Sequence, residues 1–293
     1  MSHGSSRFLT GLIHSLLFAL FVLPASGQIQ STLTDVHHDV SRPLRDLANT
    51  APAQNADERE AEPPRRIPIP AGVKPAGELD SVLQQTTAEA PTLVGPTPGL
   101  NFEGMGIGLP GFFVSAAPPD TNGAVGLTQY VQWVNLSFAI FDKTTGNKIL
   151  GPVAGRSLWQ GFGGNCETNN DGDPIVLYDK LADRWVFSQF SVRNLTPPGG
   201  FGPFLQCVAV STTSDATGTY NRYAFQYSAF DDYPKMGVWP DAYYVTFNMF
   251  NGTTFAFVGA DACAYDRNAM LAGQPATQIC FQQGSSIGGL LPS

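Results

Sequence analysis

Three aspartates offer the clearest opportunity for chemistry. Asp120, Asp173 and Asp232 each stand at the head of a strand-like run, and each is followed within two residues by a turn-former, Asn122, Pro174 and Pro234. If the three runs are equivalent strands of a repeated unit, their carboxylates gather at one mouth of it, where they could hold calcium or share a proton for acid–base work. The plainer alternative is that each Asp caps its own turn by accepting backbone N–H groups. Asp120, Asn122, Asp173 and Asp232 are the candidate binding residues. The oxygen-rich run ETNNDGD, Glu167 to Asp173, adds Asp171 and Asp173 as candidate calcium ligands, although it lacks the register and closing Glu of an EF-hand.

Other chemistries are poorly supplied. All four histidines, His3, His14, His37 and His38, precede residue 40, which leaves no imidazole in the later part of the chain for a Ser-His-Asp triad or a zinc site. Glycoside hydrolysis needs two carboxylates on either side of a sugar, and Trp159, Trp239, Tyr243 and Tyr244 could stack on sugar rings or simply pack the core. A sialidase would also need an arginine triad, to which residues 99–293 offer only Arg156, Arg184, Arg193, Arg222 and Arg267.

The elements that must position these residues begin late in the chain. Residues 1–27 read as a signal peptide: Arg7, an apolar run from Phe8 to Leu23, then Pro24 and the small residues Ala25, Ser26 and Gly27. The run is interrupted by Thr10, Gly11, His14 and Ser15 and is shorter than a spanning helix. Cleavage after Gly27 removes one of 16 basic residues and none of 24 acidic ones, so the exported chain is more acidic than the formal −8 of the whole. That balance argues against a nucleic-acid partner, and no later segment predicts a membrane span. Four cysteines in an exported chain predict two disulfides. Cys207 follows the hairpin that Cys166 precedes and Cys263 lies one turn from Cys280, so the predicted pairs are Cys166–Cys207 and Cys263–Cys280.

Residues 28–98 are rich in Pro, Ala and charge without a sustained apolar period, which predicts a disordered leader or stalk, with a short helix near Glu78 to Gln85 and a dibasic Arg65-Arg66 pair. From residue 99 to 293 the texture becomes aromatic and β-branched runs separated by Gly, Pro, Asn and Asp. The expected strands are Tyr130 to Phe141, Ile175 to Tyr178, Trp185 to Phe190, Leu205 to Ser211, Tyr220 to Tyr227, Ala242 to Asn248 and Thr254 to Val258; the one helical period is Arg267 to Leu271. This is an all-β pattern. Asp142, Asp179 and Asp215 sit in turns where an Asp bonds its own backbone. The spacings between Asp120, Asp173 and Asp232, 53 and 59 residues, approach a propeller-blade period, which predicts a partial β-propeller of about three four-stranded blades, with a β-sandwich as the alternative.

The segment Ser214 to Tyr220 resembles the Asp-box hairpin of sialidase-like propellers, with one extra residue before its glycine. The runs PPDTNGAVGLTQYVQWVNLSFAIFDKTTG, GFGGNCETNNDGDPIVLYDKLADRWVFSQF and DDYPKMGVWPDAYYVTFNMF together resemble large exported bacterial proteins of unassigned activity. The resemblance implies a leader, a propeller-like domain and a chain that continues past Ser293; three blades are too few to close a ring, so the domain reads as incomplete. Two functions stay open: a secreted or cell-surface binding or scaffold module for a glycan or protein, and a secreted glycoside or other polymer hydrolase using the carboxylates. The lack of a nucleophile motif favours the first.

Overall fold

The computed structural model describes residue 1 and residues 29–50, 99–114, 118–195 and 199–292. The expected signal peptide, the Arg65-Arg66 pair and the helix near Glu78 lie outside the described residues. In chain order the strands are β1 (Ile29–Thr34), β2 (His37–Val40), β3 (Asn122–Val125), β4 (Gln129–Val134), β5 (Ser137–Asp142), β6 (Lys148–Ala154) and β7 (Ile175–Asp179). They continue with β8 (Arg184–Arg193), β9 (Phe201–Ser211), β10 (Tyr220–Tyr227), β11 (Phe230–Val238), β12 (Ala242–Phe250), β13 (Phe257–Asp266) and β14 (Thr277–Gln282). Short helices α1 (Leu44–Thr50), α2 (Gly164–Thr168) and α3 (Arg267–Ala272) and a 3-10 turn at Gly155–Trp159 complete the described chain. The all-β class is as expected.

Three antiparallel sheets result, each a meander of four successive strands: β3 to β6 in sheet 1, β7 to β10 in sheet 2 and β11 to β14 in sheet 3. Alternation along sheet 2 explains how they pack. Phe187, Cys207, Ala209 and Ala224 join Val131, Trp133, Phe138 and Ile140 of sheet 1 in one core. Their neighbours Val186, Val208, Val210, Tyr223 and Phe225 point the other way and join Tyr243, Val245, Phe247 and Tyr265 of sheet 3 in another. Period-2 strands that are apolar on both faces must be covered on both faces, and sheet 2 is the middle layer. The seam with sheet 1 is tight at Gly126, where an added Cβ would lie 2.5 Å from the Trp185 ring.

The hairpins close as their residues dictate. Asp142 Oδ1 accepts the N–H groups of Thr144 and Thr145, Asp179 Oδ1 those of Leu181 and Ala182, and Asn251 Oδ1 those of Thr253 and Thr254. Both expected disulfides are present: Cys166–Cys207 ties α2 to β9, and Cys263–Cys280 joins directly opposed residues of β13 and β14.

The segment read as a leader requires correction over residues 29–50. There β1 pairs with β14 on the outer edge of sheet 3, and β2 pairs with β10 on the outer edge of sheet 2. Arg222 holds β2 through a two-pronged bond to Asp39 (Nε to Oδ1 2.8 Å, Nη2 to Oδ2 2.6 Å), and Leu44 and Leu47 are buried. A strand added to a sheet edge draws its order from the ladder it joins, so its own sequence need not alternate; all six residues of β1 are exposed.

Candidate functional site

The loops entering β3 and β7 and the start of β11 come together on one side of the stack. Asp120, Asp173 and Tyr233 all adopt left-handed backbone (φ 40°, 46° and 53°), a costly conformation for residues other than glycine. The repeated position in sheet 3 is therefore Tyr233, one residue beyond the Asp232 that sequence spacing aligns. The three entries are stitched in succession: Asn122 Oδ1 accepts the Val176 N–H at 2.9 Å, and Asp173 Oδ2 accepts the Tyr233 N–H at 3.0 Å. Each sheet's first strand thus holds the next.

Asp120, Thr121 and Asn122, then Asp173, then Tyr233 and Lys235 line one cleft of about 490 Å³, walled on its apolar side by Leu177, Met236, Leu291 and Pro292. The Lys235 ammonium stands 3.4 Å from the centre of the Tyr233 ring and donates to the Pro234 carbonyl at 3.0 Å. Burial lowers its pKa, and Asp173, Asp120 and Asp232 all oppose that shift. The three aspartates singled out from sequence therefore converge electrostatically on one lysine. Asp232 itself is buried rather than lining the cleft. Lys235 and Tyr233 were not singled out in the sequence, although both lie in the third motif; the cue was their position immediately after an aligned aspartate.

Asp171 belongs elsewhere. It is fully buried, and it accepts the N–H groups of Val192 (2.7 Å) and Arg193 (3.0 Å), the Asn169 amide (3.1 Å) and Arg193 Nε (2.5 Å). Those donors use both of its oxygens to pin the end of β8. Asp171 and Asp173 thus serve different ends of the loop and do not form a joint ligand set. Among the described residues no group of three or more His, Cys, Asp or Glu is placed to hold a metal.

The arginines are likewise dispersed: Arg193 pairs with Asp171, Arg222 with Asp39 and Arg267 with Asp179, each at a different seam. Asp215, in the Asp-box-like turn between β9 and β10, accepts from Thr217, Gln129 and Arg45 and anchors that hairpin to β4 and α1. Of the aromatic residues, Trp159 and Tyr243 are fully buried, whereas Trp239 is 49% exposed. The sequence argument that the folded part lacks imidazoles also needs correction, because β2 brings His37 and His38 into sheet 2. His38 Nδ1 lies 2.7 Å from Asp35 Oδ2, and Asp35 Oδ1 accepts the Ala276 N–H at 2.6 Å, so the pair clips the β1–β2 junction to the loop before β14. All four cysteines are in disulfides, which removes thiol nucleophiles.

Comparison with protein-family models, curated proteins and solved structures finds no match to this chain. Among the described residues no helix is long and apolar enough to cross a membrane.

Proposed function

We propose that the chain is an extracellular or cell-surface binding module, that its three sheets are blades of a β-propeller, and that its ligand site is the cleft at the start of β3, β7 and β11. Residues contributed by three different sheets to one cleft, Asp120 and Asn122, Asp173, and Lys235, carry this reading. The blade reading draws support from the four-strand meanders, the face-to-face stacking and the adjacent first strands. Two disulfides and the resemblance to large exported bacterial proteins support an extracellular setting.

A cleft with carboxylates, one ammonium and an aromatic ring presents both hydrogen-bond acceptors and a stacking surface, which suits a polyhydroxylated or polar partner such as a glycan or a protein loop. The test is an array of immobilised glycans and extracellular proteins probed with the full chain. Asp120→Asn, Asp173→Asn and Lys235→Gln should each weaken the interaction found by about tenfold, roughly 1.4 kcal/mol, with thermal stability nearly unchanged. Asn at 173 keeps an oxygen for the Tyr233 N–H, so the stitch between sheets survives. A captured ligand that ignores all three substitutions would remove the cleft from consideration. Turnover of a captured glycan, abolished by Asp120→Asn or Asp173→Asn, would replace binding by hydrolysis as the function.

A further inference from the structure

The rim of sheet 3 carries an unguarded strand edge. β1 is the outermost strand of that sheet, and all of its residues, Ile29 to Thr34, are exposed. One bond shows which of its backbone groups are unpaired. The Asp35 N–H donates to the Ala276 carbonyl at 2.9 Å, in step with the ladder that sets Leu33 against Gln278 and Ser31 against Cys280. In an antiparallel pair, residues that exchange backbone bonds alternate with residues that do not. Ile29, Ser31 and Leu33 therefore turn their backbone groups to β14, whereas Gln30, Thr32 and Thr34 turn theirs outward, where no further strand lies among the described residues.

Proteins usually blunt such an edge with charge, proline, a bulge or a very short strand. The other edge strands of the described sheets follow that practice. β2 and β3 are four residues long. β6 carries Lys148 and Pro152, β11 carries Pro234 and Lys235, and both pair with register shifts. β7 is hemmed in by β3 and β11. β1 has none of these devices: IQSTLT holds no charge, proline or glycine, and its register runs without a shift.

We propose that β1 is a pairing edge and that its partner is β1 of a second copy of this chain, antiparallel across a twofold axis at Ser31. The strand is complementary to itself in this register. Ile29 meets the second copy's Leu33 and Leu33 meets its Ile29, so the two apolar side chains of the strand, 66% and 45% exposed, cover each other. Gln30 faces the second copy's Thr32, and both already turn their backbone groups outward, so the ladder bonds form there. Ser31 faces Ser31 at the close position between them. Moving the axis to Gln30 or Thr32 would set Ile29 against Ser31 or Asp35 instead. Charge favours this place over the rest of the surface, because a chain of net charge −8 repels its own copies and β1 brings no charge to the contact. Pairing at an edge extends sheet 3 sideways and leaves its faces as they are, so the interface agrees with the blade reading and does not depend on the cleft.

Sedimentation of the chain beginning at Gln28, its expected exported form, should show a monomer–dimer equilibrium with a dissociation constant of about 10–100 μM, since a single strand pair is a small interface. Thr32→Pro removes an N–H that the monomer does not use, and Ser31→Lys sets two ammonium groups opposite each other. Each should weaken the dimer by about tenfold or more while the melting temperature at low concentration stays near that of the wild type. Under oxidation Ser31→Cys should give a disulfide-linked dimer, whereas Gln30→Cys, which faces Thr32 and not itself, should not. A wild-type chain that stays monomeric at about 0.2 mM, well above the expected range, overturns the proposal. So does a dimer indifferent to both Thr32→Pro and Ser31→Lys, which would use another surface, and so does equal crosslinking through Ser31→Cys and Gln30→Cys.

Discussion

Arg267→Met should destabilise the protein by about 3–5 kcal/mol, because it strands a carboxylate that has no access to water. Asp179, at the end of β7, is fully buried, and Arg267, at the start of α3, is 7% exposed. The guanidinium donates through Nε to Asp179 Oδ2 at 2.6 Å and through Nη2 to Oδ1 at 3.0 Å, and Tyr243 OH adds a bond to Oδ2 at 3.0 Å. Burial alone would raise the Asp179 pKa; the bonds from Arg267, the Ala182 N–H and Tyr243 more than offset it and hold the carboxyl below the ordinary aspartate range. This pair is also a rivet between sheet 2 and sheet 3. Since a buried ion pair can often be replaced by a neutral pair of similar volume, Asp179→Asn, which keeps an oxygen for the Leu181 and Ala182 N–H groups, combined with Arg267→Met should recover more than half of the loss. Urea unfolding of the wild type, both single variants and the double variant measures this directly. A loss below 1 kcal/mol for Arg267→Met, or a double variant no better than the worse single, contradicts the rivet.

Asp231→Asn should do the opposite at neutral pH and raise stability by about 1–3 kcal/mol, because an amide is buried uncharged without the protonation that the carboxyl needs. Asp231 is fully buried, and its carboxyl oxygens meet no hydrogen-bond partner beyond its own backbone N–H. Burial pushes its pKa well above the ordinary value, and the neighbouring charges of Asp232, Asp173 and Asp261 push the same way. Two buried phenols, Tyr227 and Tyr265, bonded to each other at 2.7 Å, also feel its charge. The folded chain therefore keeps this proton at pH values where the unfolded chain has released it. Its stabilising contribution is complete below the unfolded aspartate pKa and is lost as pH rises toward the higher folded value. Thermal melts should show the wild type and Asp231→Asn close together near pH 4 and the variant several degrees higher at pH 8. Parallel profiles for the two proteins would show that Asp231 is not held as a neutral acid.

The sequence was most legible where local rules and tertiary packing agree. The run Tyr220 to Tyr227 is β10 with its expected bounds, and the short period at Arg267 became α3, capped by Asp266 accepting the Ala269 N–H. The run Tyr130 to Phe141 is two strands, because Asn135 in left-handed backbone turns the chain within an otherwise apolar stretch. Thr254 to Val258 was misplaced: the Asn251 turn occupies most of it, and β13 starts at Phe257 and runs through alanines of low strand propensity. β6 and β11 contain Pro152 and Pro234, which argue against strand from sequence alone, yet both lie at register shifts where the missing N–H costs nothing. For the site, Asp120 and Asp173 were visible because each stands just before a strand, whereas Asp232 lies inside β11 and is buried. Lys235 was hidden because its importance comes from what other sheets bring to it, and Asp231 because nothing in its neighbours announces a carboxyl sealed between two sheets.

The segment 29–50 has a consequence for the order in which the molecule can be made. Its first strand pairs with β14, and Asp35 bonds Ala276 across 241 positions of chain. The part of the described fold that leaves the ribosome earliest must therefore wait for one of the latest to be made. Until β14 exists, β1 has no ladder to join, and a strand whose residues all face solvent has no reason to collapse on its own. Such long-range closure slows folding, because β1 cannot settle until β14, far along the chain, has been made.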